Sequence, residues 1–434
     1  MFVGITNSPR DYAWGSTTAI AGLLGYAPSG KPEAELWLGA HPGSPSVITD
    51  PAQVGGHTTL LDWITASPEA ALGAPLGAPL GAPASPAAPR LSFLLKILAA
   101  QSPLSLQAHP TSERARTGFV LENAAGIPTD AADRNYRDPF HKPELIFALS
   151  ETFEVLCGFR ELREIRGILG EFRALDVASD NPQPGALDAL ERRLLGDDAL
   201  RDCVDWLLRD GRGGDSGEVA WLVERVVALA ESAAELAADG AILDYPLELA
   251  TVRDLARAYP GDPGIVISLL TNRVSLKRGE VLYLPAGNIH AYLSGLGVEL
   301  MASSDNVLRG GLSPKHIDVD ELLEVLDFTP LPVPYLPPVV SSPGVSEYHP
   351  DVDDFVLVHI AAEAAAASGA DGGVPMRQFT LTGPAIAICT AGGFLVAGAG
   401  ASVALKRGES VYITPDEGTL TFAGVGDVFL ATTP

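Results

Sequence analysis

The chain has 434 residues, 47% of them hydrophobic, which is enough for two or three domains with apolar cores. Its formal net charge of -25 at pH 7 disfavours nucleic acid and anionic membrane surfaces as partners. The three cysteines, Cys157, Cys203 and Cys389, match no metal-binding spacing, and neither an apolar leader nor a run of about 20 apolar residues is present. We therefore expect a cytoplasmic protein without a disulfide framework or a membrane span.

The first 150 residues alternate short apolar runs with Gly and Pro turns, which predicts an antiparallel β domain. Within this region, residues 72–83 repeat the tetrapeptide Leu-Gly-Ala-Pro. Because proline at every fourth position removes backbone donors and excludes a helix, we expect an extended surface insertion here. We assign this insertion no part in the chemistry.

The pattern becomes helical at about residue 162, and apolar residues three and four positions apart continue to about residue 258. The clearest stretches are 187–195 and 219–229. Such stripes most often pack against a neighbouring layer of the same protein. We therefore predict an all-helical insertion that packs on the β domain.

Strand signals return in the apolar run 264–270 and continue to about residue 328. A proline-rich stretch to residue 338 then indicates a linker or an edge crossing between domains. The remainder of the chain again contains short strands and turns.

An internal repeat relates two parts of the chain, because Leu-Lys-Arg-Gly-Glu occurs at 276–280 and again at 405–409. The first copy leads to His290, whereas the corresponding position after the second copy is Thr419, a poor zinc ligand. Such strand-turn-strand units, with a metal His after a Pro-containing turn, resemble cupins, which are small jelly-roll barrels.

We therefore predict a mainly β protein with an α-helical insertion, built from two cupin-like jelly-roll units and a helical domain. The first unit, 1–155 with 257–330, would carry a metal and the catalytic site. The helical domain would span 156–256, and a metal-free cupin would span 331–434.

Polar residues in three separate motifs are suited to one divalent metal. Gln107 and His109 share one strand face, as do Lys142 and Glu144, because alternate residues of a strand point the same way. His290 lies in the third motif, downstream. Amide, imidazole and carboxylate ligands suit zinc, manganese or cobalt, and a ligand set spread over three strands can leave a position open for substrate.

Long motifs around these residues resemble the type I phosphomannose isomerases, in the same order along the chain. They are 12–15, 34–42, 107–110, 135–144, 283–292 and 298–316. The resemblance implies a zinc-dependent aldose-ketose isomerase, with one Zn²⁺ per chain, that interconverts mannose 6-phosphate and fructose 6-phosphate. It further implies that the metal ligands are Gln107, His109, Glu144 and His290.

A sugar phosphate requires local positive charge in a chain of net charge -25. Arg309, at the catalytic centre, and Lys315 are the candidate cations, since a guanidinium can bind two oxygens at once. The resemblance implies that Asp305 orients Arg309 or Lys315. By the resemblance alone, the remaining candidate substrate-binding residues are Ser105, Glu35 and Trp14.

The sequence departs from the family after the first His-Pro. Many members carry a Lys within the next few residues, whereas this chain reads Thr-Ser-Glu-Arg at 111–114. Two alternatives remain open: Arg114 replaces that cation, or the phosphate end of the site is built differently.

Isomerisation moves a proton between C1 and C2 of the open-chain sugar and requires a base. Glu299 is the leading candidate, and Lys142 and a zinc-bound water remain in competition with it. Lys142 could also polarise a sugar oxygen.

Other functions receive less support from the sequence. An iron-dependent cupin oxygenase does not account for Lys142, Arg309 and Lys315, which favour an anionic sugar. A non-catalytic sugar-phosphate-binding protein would not need four metal ligands, and no Gly-rich basic run suggests nucleotidyl transfer. We expect a monomer.

Overall fold

The structure is a computed structural model that describes residues 1–73, 89–213, 216–363 and 374–434. Most of the predicted Leu-Gly-Ala-Pro insertion, from residue 74 onward, lies outside the described residues. Within the described ranges, no helix is both long enough and apolar enough to cross a membrane.

Strands and helices alternate in blocks along the chain. The strands are β1 (Phe2–Thr6), β2 (Glu35–Leu38), β3 (Val47–Ile48), β4 (Phe93–Ala100), β5 (Leu106–Ala108), β6 (Glu144–Ala148), β7 (Thr152–Phe159), β8 (Thr271–Lys277), β9 (Val281–Leu284), β10 (His290–Ala302), β11 (Leu308–Gly311), β12 (Val339–Ser342), β13 (Val345–Tyr348), β14 (Val356–Ala362), β15 (Met376–Thr380), β16 (Ala385–Ala397), β17 (Ser402–Lys406), β18 (Ser410–Ile413) and β19 (Thr419–Thr432). The helices are α1 (Ala19–Leu24), α2 (Leu60–Ala66), α3 (Pro68–Leu72), α4 (Ser112–Ala124), α5 (Leu162–Ala178), α6 (Pro184–Arg193), α7 (Ala199–Asp210), α8 (Glu218–Ala238), α9 (Pro246–Ala258), α10 (Gly264–Leu270) and α11 (Val319–Val325).

The first sheet is organised around β10, the long strand that begins at His290. The order along the sheet is β11-β5-β10-β4-β2, with β6 joining β9 to β10 and β7 joining β8 to β10. The first part of β10 pairs with β5 and β7, and the second part pairs with β4 and β6. β10 therefore links the strands that pair with its first part to those that pair with its second part.

The second sheet contains the C-terminal strands, in the order β12-β13-β14-β19-β16-β18-β1-β3. Its two long strands, β16 and β19, pair over most of their length. The predicted fold class, two cupin-like β units with a helical insertion, is confirmed. Residues 2–6 and 47–48 belong to this second sheet, although they were predicted to belong to the first β unit. The predicted domain boundaries stay a prediction.

The repeated Leu-Lys-Arg-Gly-Glu motif forms the same turn twice. The backbone N–H of Lys277 donates to the carboxylate of Glu280 at 2.8 Å, and that of Lys406 donates to Glu409 at 2.8 Å. The turn glycines have φ of 89° at Gly279 and 87° at Gly408, in the left-handed region that favours glycine.

The two units differ where the first one places His290. His290 is fully buried, whereas Thr419 is exposed, and its neighbour Leu420 fills the apolar interior of the second unit. The positions match in sequence but face opposite sides of their strands, because side chains alternate along a strand.

The predicted helical region, from about residue 162 to about residue 258, is confirmed as α5 to α9. The strand predicted at 264–270 is wrong, since these residues form the buried helix α10. A short apolar run has no period that separates helix from strand. The residues before the helix favour its start, because the Asp262 carboxylate accepts the backbone N–H of Gly264 at 2.7 Å and Pro263 has helical backbone angles.

The first β unit lies between the helices and the second β unit. One core joins the inserted helices to β5, β7 and β10, through residues such as Leu106, Leu156 and Ile289. Another core joins the two β units, through residues such as Phe147 and Phe429. Burial on both sides fixes the strands that carry the predicted ligands.

Candidate active site

Three of the four predicted metal ligands meet inside the first β unit. Nε2 of His109 lies 3.3 Å from Oε1 of Glu144, and Nε2 of His290 lies 3.4 Å from Oε2 of the same carboxylate. One ligand atom from each residue falls within 4.8 Å of the other two, and all three side chains are buried. In the described part of the chain this is the one such group of His, Cys, Asp and Glu side chains.

Strand pairing brings these residues together from distant parts of the sequence. Gln107 on β5 is directly opposite His290 on β10, and Glu144 begins β6, which pairs with the far end of β10. The backbone N–H of Gly287 donates to the carbonyl of His109 at 2.9 Å, which ties the two histidine loops to each other.

The fourth predicted ligand, Gln107, lies at the edge of the cluster. Its Nε2 atom lies 3.4 Å from Nε2 of His290. A half-turn of the amide exchanges its nitrogen and oxygen. In that orientation Gln107 places an oxygen beside Nε2 of His290.

Both histidines are held in the tautomer that a metal requires. Nδ1 of His109 donates to the carbonyl of Asn306 at 2.8 Å, and Nδ1 of His290 donates to the carbonyl of Asn288 at 2.9 Å. Each Nε2 therefore carries the free lone pair, and backbone contacts of this kind orient metal-binding imidazoles.

The protonation states also fit a cation. Burial lowers the pKa of His109 to about 4, so its imidazole is neutral at pH 7. Burial alone would raise the pKa of Glu144, but the charge of Lys142 and the contact with His109 lower it well below its usual value. Two buried atoms of the cluster, Nε2 of His109 and Oε2 of Glu144, have no hydrogen-bond partner among the described residues. A divalent metal would satisfy both.

Lys142 lies beside this cluster. Its Nζ atom is 3.1 Å from Oε1 of Glu144, and the side chain is largely buried. Lys142 therefore forms a buried salt bridge with Glu144. The same contact places Nζ of Lys142 next to the candidate metal position, so the salt bridge is compatible with a part in the chemistry.

A second buried charge cluster adjoins the first and includes a residue that the sequence analysis missed. Nζ of Lys96 lies 2.8 Å from Oε2 of Glu299 and 3.8 Å from Oε1 of Glu35. Burial lowers the pKa of Lys96, but these two carboxylates outweigh burial and raise it. The available signal was its position as the single charged residue of the apolar strand β4.

Glu299 has the environment of a strengthened base. Burial and the neighbouring charges of Glu144 and Glu35 raise its pKa, and the ion pair with Lys96 opposes this change. A raised pKa brings a carboxylate closer to the range in which it can accept and return a proton at neutral pH.

Three cations lie close together near the metal-binding strands. Arg309 on β11 is opposite Gln107 on β5. Burial lowers the pKa of Arg309 and the charge of Arg137 lowers it further, while burial, Arg309 and Arg137 lower the pKa of Lys315. Within the described ranges, no carboxylate forms an ion pair with any of the three. Sequence analysis missed Arg137, which stands next to a metal motif as an ordinary exposed cation.

The sequence of the chain is similar to that of known enzymes. Residues 2–162 match the family described as phosphomannose isomerase type I, catalytic domain. The mannose-6-phosphate isomerase of Salmonella typhimurium is 37% identical over 432 residues, and that of Escherichia coli is 36% identical over 427, each covering 97% of both chains. The chain belongs to the type I phosphomannose isomerase family. The predicted resemblance is confirmed.

Solved structures of the family superpose over the whole chain. A mutant phosphomannose isomerase from Salmonella typhimurium gives a TM-score of 0.81 at 33% identity, and a zinc-bound mannose 6-phosphate isomerase gives 0.79 at 33%. Each comparison covers 100% of this chain and 99% of the other. The full-length matches extend the family likeness beyond residue 162 to β10 and the C-terminal unit.

One expected contact differs in this phosphomannose isomerase family member. Asp305 was expected to orient Arg309 or Lys315, but its carboxylate lies 3.5 Å from Nε2 of His41. Its backbone N–H donates to Asp138 at 2.8 Å, which turns the residue toward His41. The expectation is therefore wrong for this structure.

The other sugar-pocket candidates have different surroundings. Glu35 is buried and accepts a hydrogen bond from the indole of Trp37 at 2.7 Å. Ser105 immediately precedes β5 and is half-buried, on the strand face of Gln107. Trp14 packs against an apolar cluster and stacks on Tyr12, with a centroid separation of 5.7 Å.

Asn306 organises the centre although the sequence analysis did not single it out. Its backbone carbonyl accepts from His109, and its side-chain Nδ2 donates to the carbonyls of Asp138 and Phe140 at 2.7 and 2.8 Å. Its Oδ1 accepts the backbone N–H of Arg137 at 2.8 Å. A fully buried amide therefore ties a candidate metal ligand to the segment that carries Arg137 and, further on, Lys142.

Proposed function

We propose that this chain is a zinc-dependent mannose-6-phosphate isomerase that interconverts D-mannose 6-phosphate and D-fructose 6-phosphate through an enediol. The observation that carries the proposal is the buried His109, Glu144 and His290 cluster, which lies beside Lys142 and near a separate group of basic side chains. Relatives with this name align over nearly the full chain.

One zinc ion would be held by His109, Glu144, His290 and Gln107. The solved structures bound with zinc support this choice of metal. When bound, zinc supplies positive charge that stabilises the negative charge developing on the sugar oxygens as the carbon acid ionises.

The phosphate group would be bound by Arg309, Lys315 and Arg137. These cations repel each other when no anion is present, and the lowered pKa values of Arg309 and Lys315 reflect burial together with this repulsion. A dianionic phosphate would relieve the repulsion and accept several charge-assisted hydrogen bonds. The sugar would then extend from this group toward the metal cluster.

Proton transfer between C1 and C2 would be performed by Glu299, with Lys142 as the alternative. Lys96 would hold the Glu299 carboxylate in place through their 2.8 Å contact. Lys142, next to Glu144, would polarise a sugar oxygen. Ser105, Glu35, Asp305 and Trp14 would shape the sugar pocket.

The experiment that tests this function is direct conversion of substrate. Purified zinc-loaded protein should form fructose 6-phosphate from mannose 6-phosphate, and the Glu299→Gln variant should form much less at equal zinc content. Failure of the zinc-loaded wild type to interconvert the two sugars would refute the proposal. A cytoplasmic location and a monomeric state also remain predictions.

A further inference from the structure

The second β unit reaches the segment that carries Lys142 through one side chain. Asp354 lies between β13 and β14, and its Oδ2 atom is 2.6 Å from Nε2 of His141. The two side chains are mostly buried, at 13% and 24% exposed. A carboxylate only accepts hydrogen bonds, so Nε2 of His141 carries the hydrogen of this contact.

Asp354 is itself held firmly in place. Its backbone carbonyl accepts a hydrogen bond from the hydroxyl of Ser92 at 2.6 Å, just before β4. The next residue, Phe355, is fully buried in the core that joins the two β units. Asp354 is therefore a rigid group of the second unit that meets a loop of the first.

The loop that Asp354 meets is fixed from its other side by β10 and the residues after it. The carbonyl of Phe140 accepts from the side chain of Asn306 at 2.8 Å, and the carbonyl of Pro143 accepts from the backbone N–H of Ala302 at 3.0 Å. Both bonds hold main-chain atoms on either side of His141 and Lys142. The contact with Asp354 holds the His141 side chain between these two points.

We infer that Asp354 is a positioning residue for the isomerase site, acting through His141 on the placement of Lys142. The inference rests on the proposed function and gives the second β unit, which has no predicted metal, a part in the reaction. Glu144 would not depend on this contact, because β6 pairs with both β9 and β10. Loss of Asp354 should therefore affect turnover and leave zinc binding intact.

The test compares Asp354→Ala with Asp353→Ala, in zinc-loaded protein assayed with mannose 6-phosphate. Asp353 is the exposed neighbour of Asp354, and both residues line one groove of about 640 Å³. The control therefore removes the same charge from the same surface. Asp354→Ala should lower kcat roughly ten- to hundredfold with little change in KM or zinc content, since small misplacements of catalytic groups cost this much. Asp354→Asn, which keeps an acceptor oxygen, should recover most of the loss.

A double-mutant cycle separates positioning from general stability. In a His141→Ala background, Asp354→Ala should cause almost no additional loss of kcat, because the contact is already absent. If Asp354→Ala does not fold, the polar but uncharged Asp354→Ser variant replaces it with the same expectation. Wild-type kcat in the folded Asp354 variant, or fully additive losses in the cycle, would overturn the inference. An inactive wild type would instead refute the proposed function.

Discussion

Arg114 forms a two-point ion pair with Glu321 along one edge of its guanidinium. Its Nε atom donates to Oε1 at 2.7 Å, and a terminal nitrogen donates to Oε2. The hydroxyl of Tyr136 donates to the same carboxylate. A guanidinium bonded in this way has its charge balanced and its main donor edge occupied. Arg114 is therefore a poor replacement for the family's missing lysine, which favours the second alternative, a phosphate end that is built differently.

The first prediction concerns Arg309. Arg309→Ala should lose activity by about 2 to 5 kcal/mol in kcat/KM, because a charge-assisted contact to a partly buried phosphate is removed. Zinc should stay bound. Arg309→Lys should recover only part of the loss, since an ammonium cannot reproduce the planar fork. Steady-state kinetics at matched zinc content measure this, with the exposed Arg116→Ala as control. Wild-type kcat and KM in Arg309→Ala would place the phosphate elsewhere.

A second prediction separates Arg137 from the other cations. Arg137 is exposed, so its contact with phosphate would be screened by solvent and weaker than that of Arg309. Arg137→Ala should raise KM for mannose 6-phosphate roughly tenfold with a smaller change in kcat. Adding salt should narrow the difference from wild type. A KM equal to that of Arg116→Ala would remove Arg137 from the site.

The metal ligands give the third prediction. His290→Ala should lose zinc and turnover together, because it removes one of the two buried imidazoles that face Glu144. Gln107→Ala should lose less zinc, since an amide oxygen is a weak and uncharged ligand. Elemental analysis of the purified variants measures both, with the exposed His349→Ala as control. Full zinc occupancy in His290→Ala contradicts the assignment.

The identity of the base is the subject of the fourth prediction. Glu299→Gln keeps a hydrogen-bonding group opposite Lys96 but cannot accept the carbon-bound proton, so kcat should fall by about 10² to 10⁴. Lys142→Met should lower kcat less if Lys142 only polarises a sugar oxygen. Solvent hydrogen exchange into the product at C1 or C2 supplies a second readout. A larger loss in Lys142→Met, with exchange abolished there alone, would transfer the base to Lys142.

Period-2 patterning could predict only part of the site. Gln107 and His109, and Lys142 and Glu144, were predicted to share strand faces, but His109 lies just after β5 and Lys142 just before β6. The structure nevertheless brings His109 and Glu144 within 3.3 Å. The pairing of these motifs with His290 depends on non-local strand register, which no local pattern contains. The family resemblance supplied that information.

Residues outside this pattern were harder to predict for physical reasons. Lys96 was missed because its partner Glu299 is 203 residues away, and a single lysine in an apolar strand carries no visible partner. The run at 264–270 has no period that separates helix from strand, because all seven of its residues are buried in the helix that they form. Strand β1 pairs with β18 at the opposite end of the chain, which composition cannot reveal.

The central claim is that one bound zinc ion makes this chain an isomerase of mannose 6-phosphate. The most direct measurement is the rate of fructose 6-phosphate formation before chelation, after removal of the metal, and after titration with zinc. The account predicts that activity disappears with the metal and returns fully at one zinc per chain. Undiminished activity in metal-free protein, or a requirement for two zinc ions per chain, would contradict it.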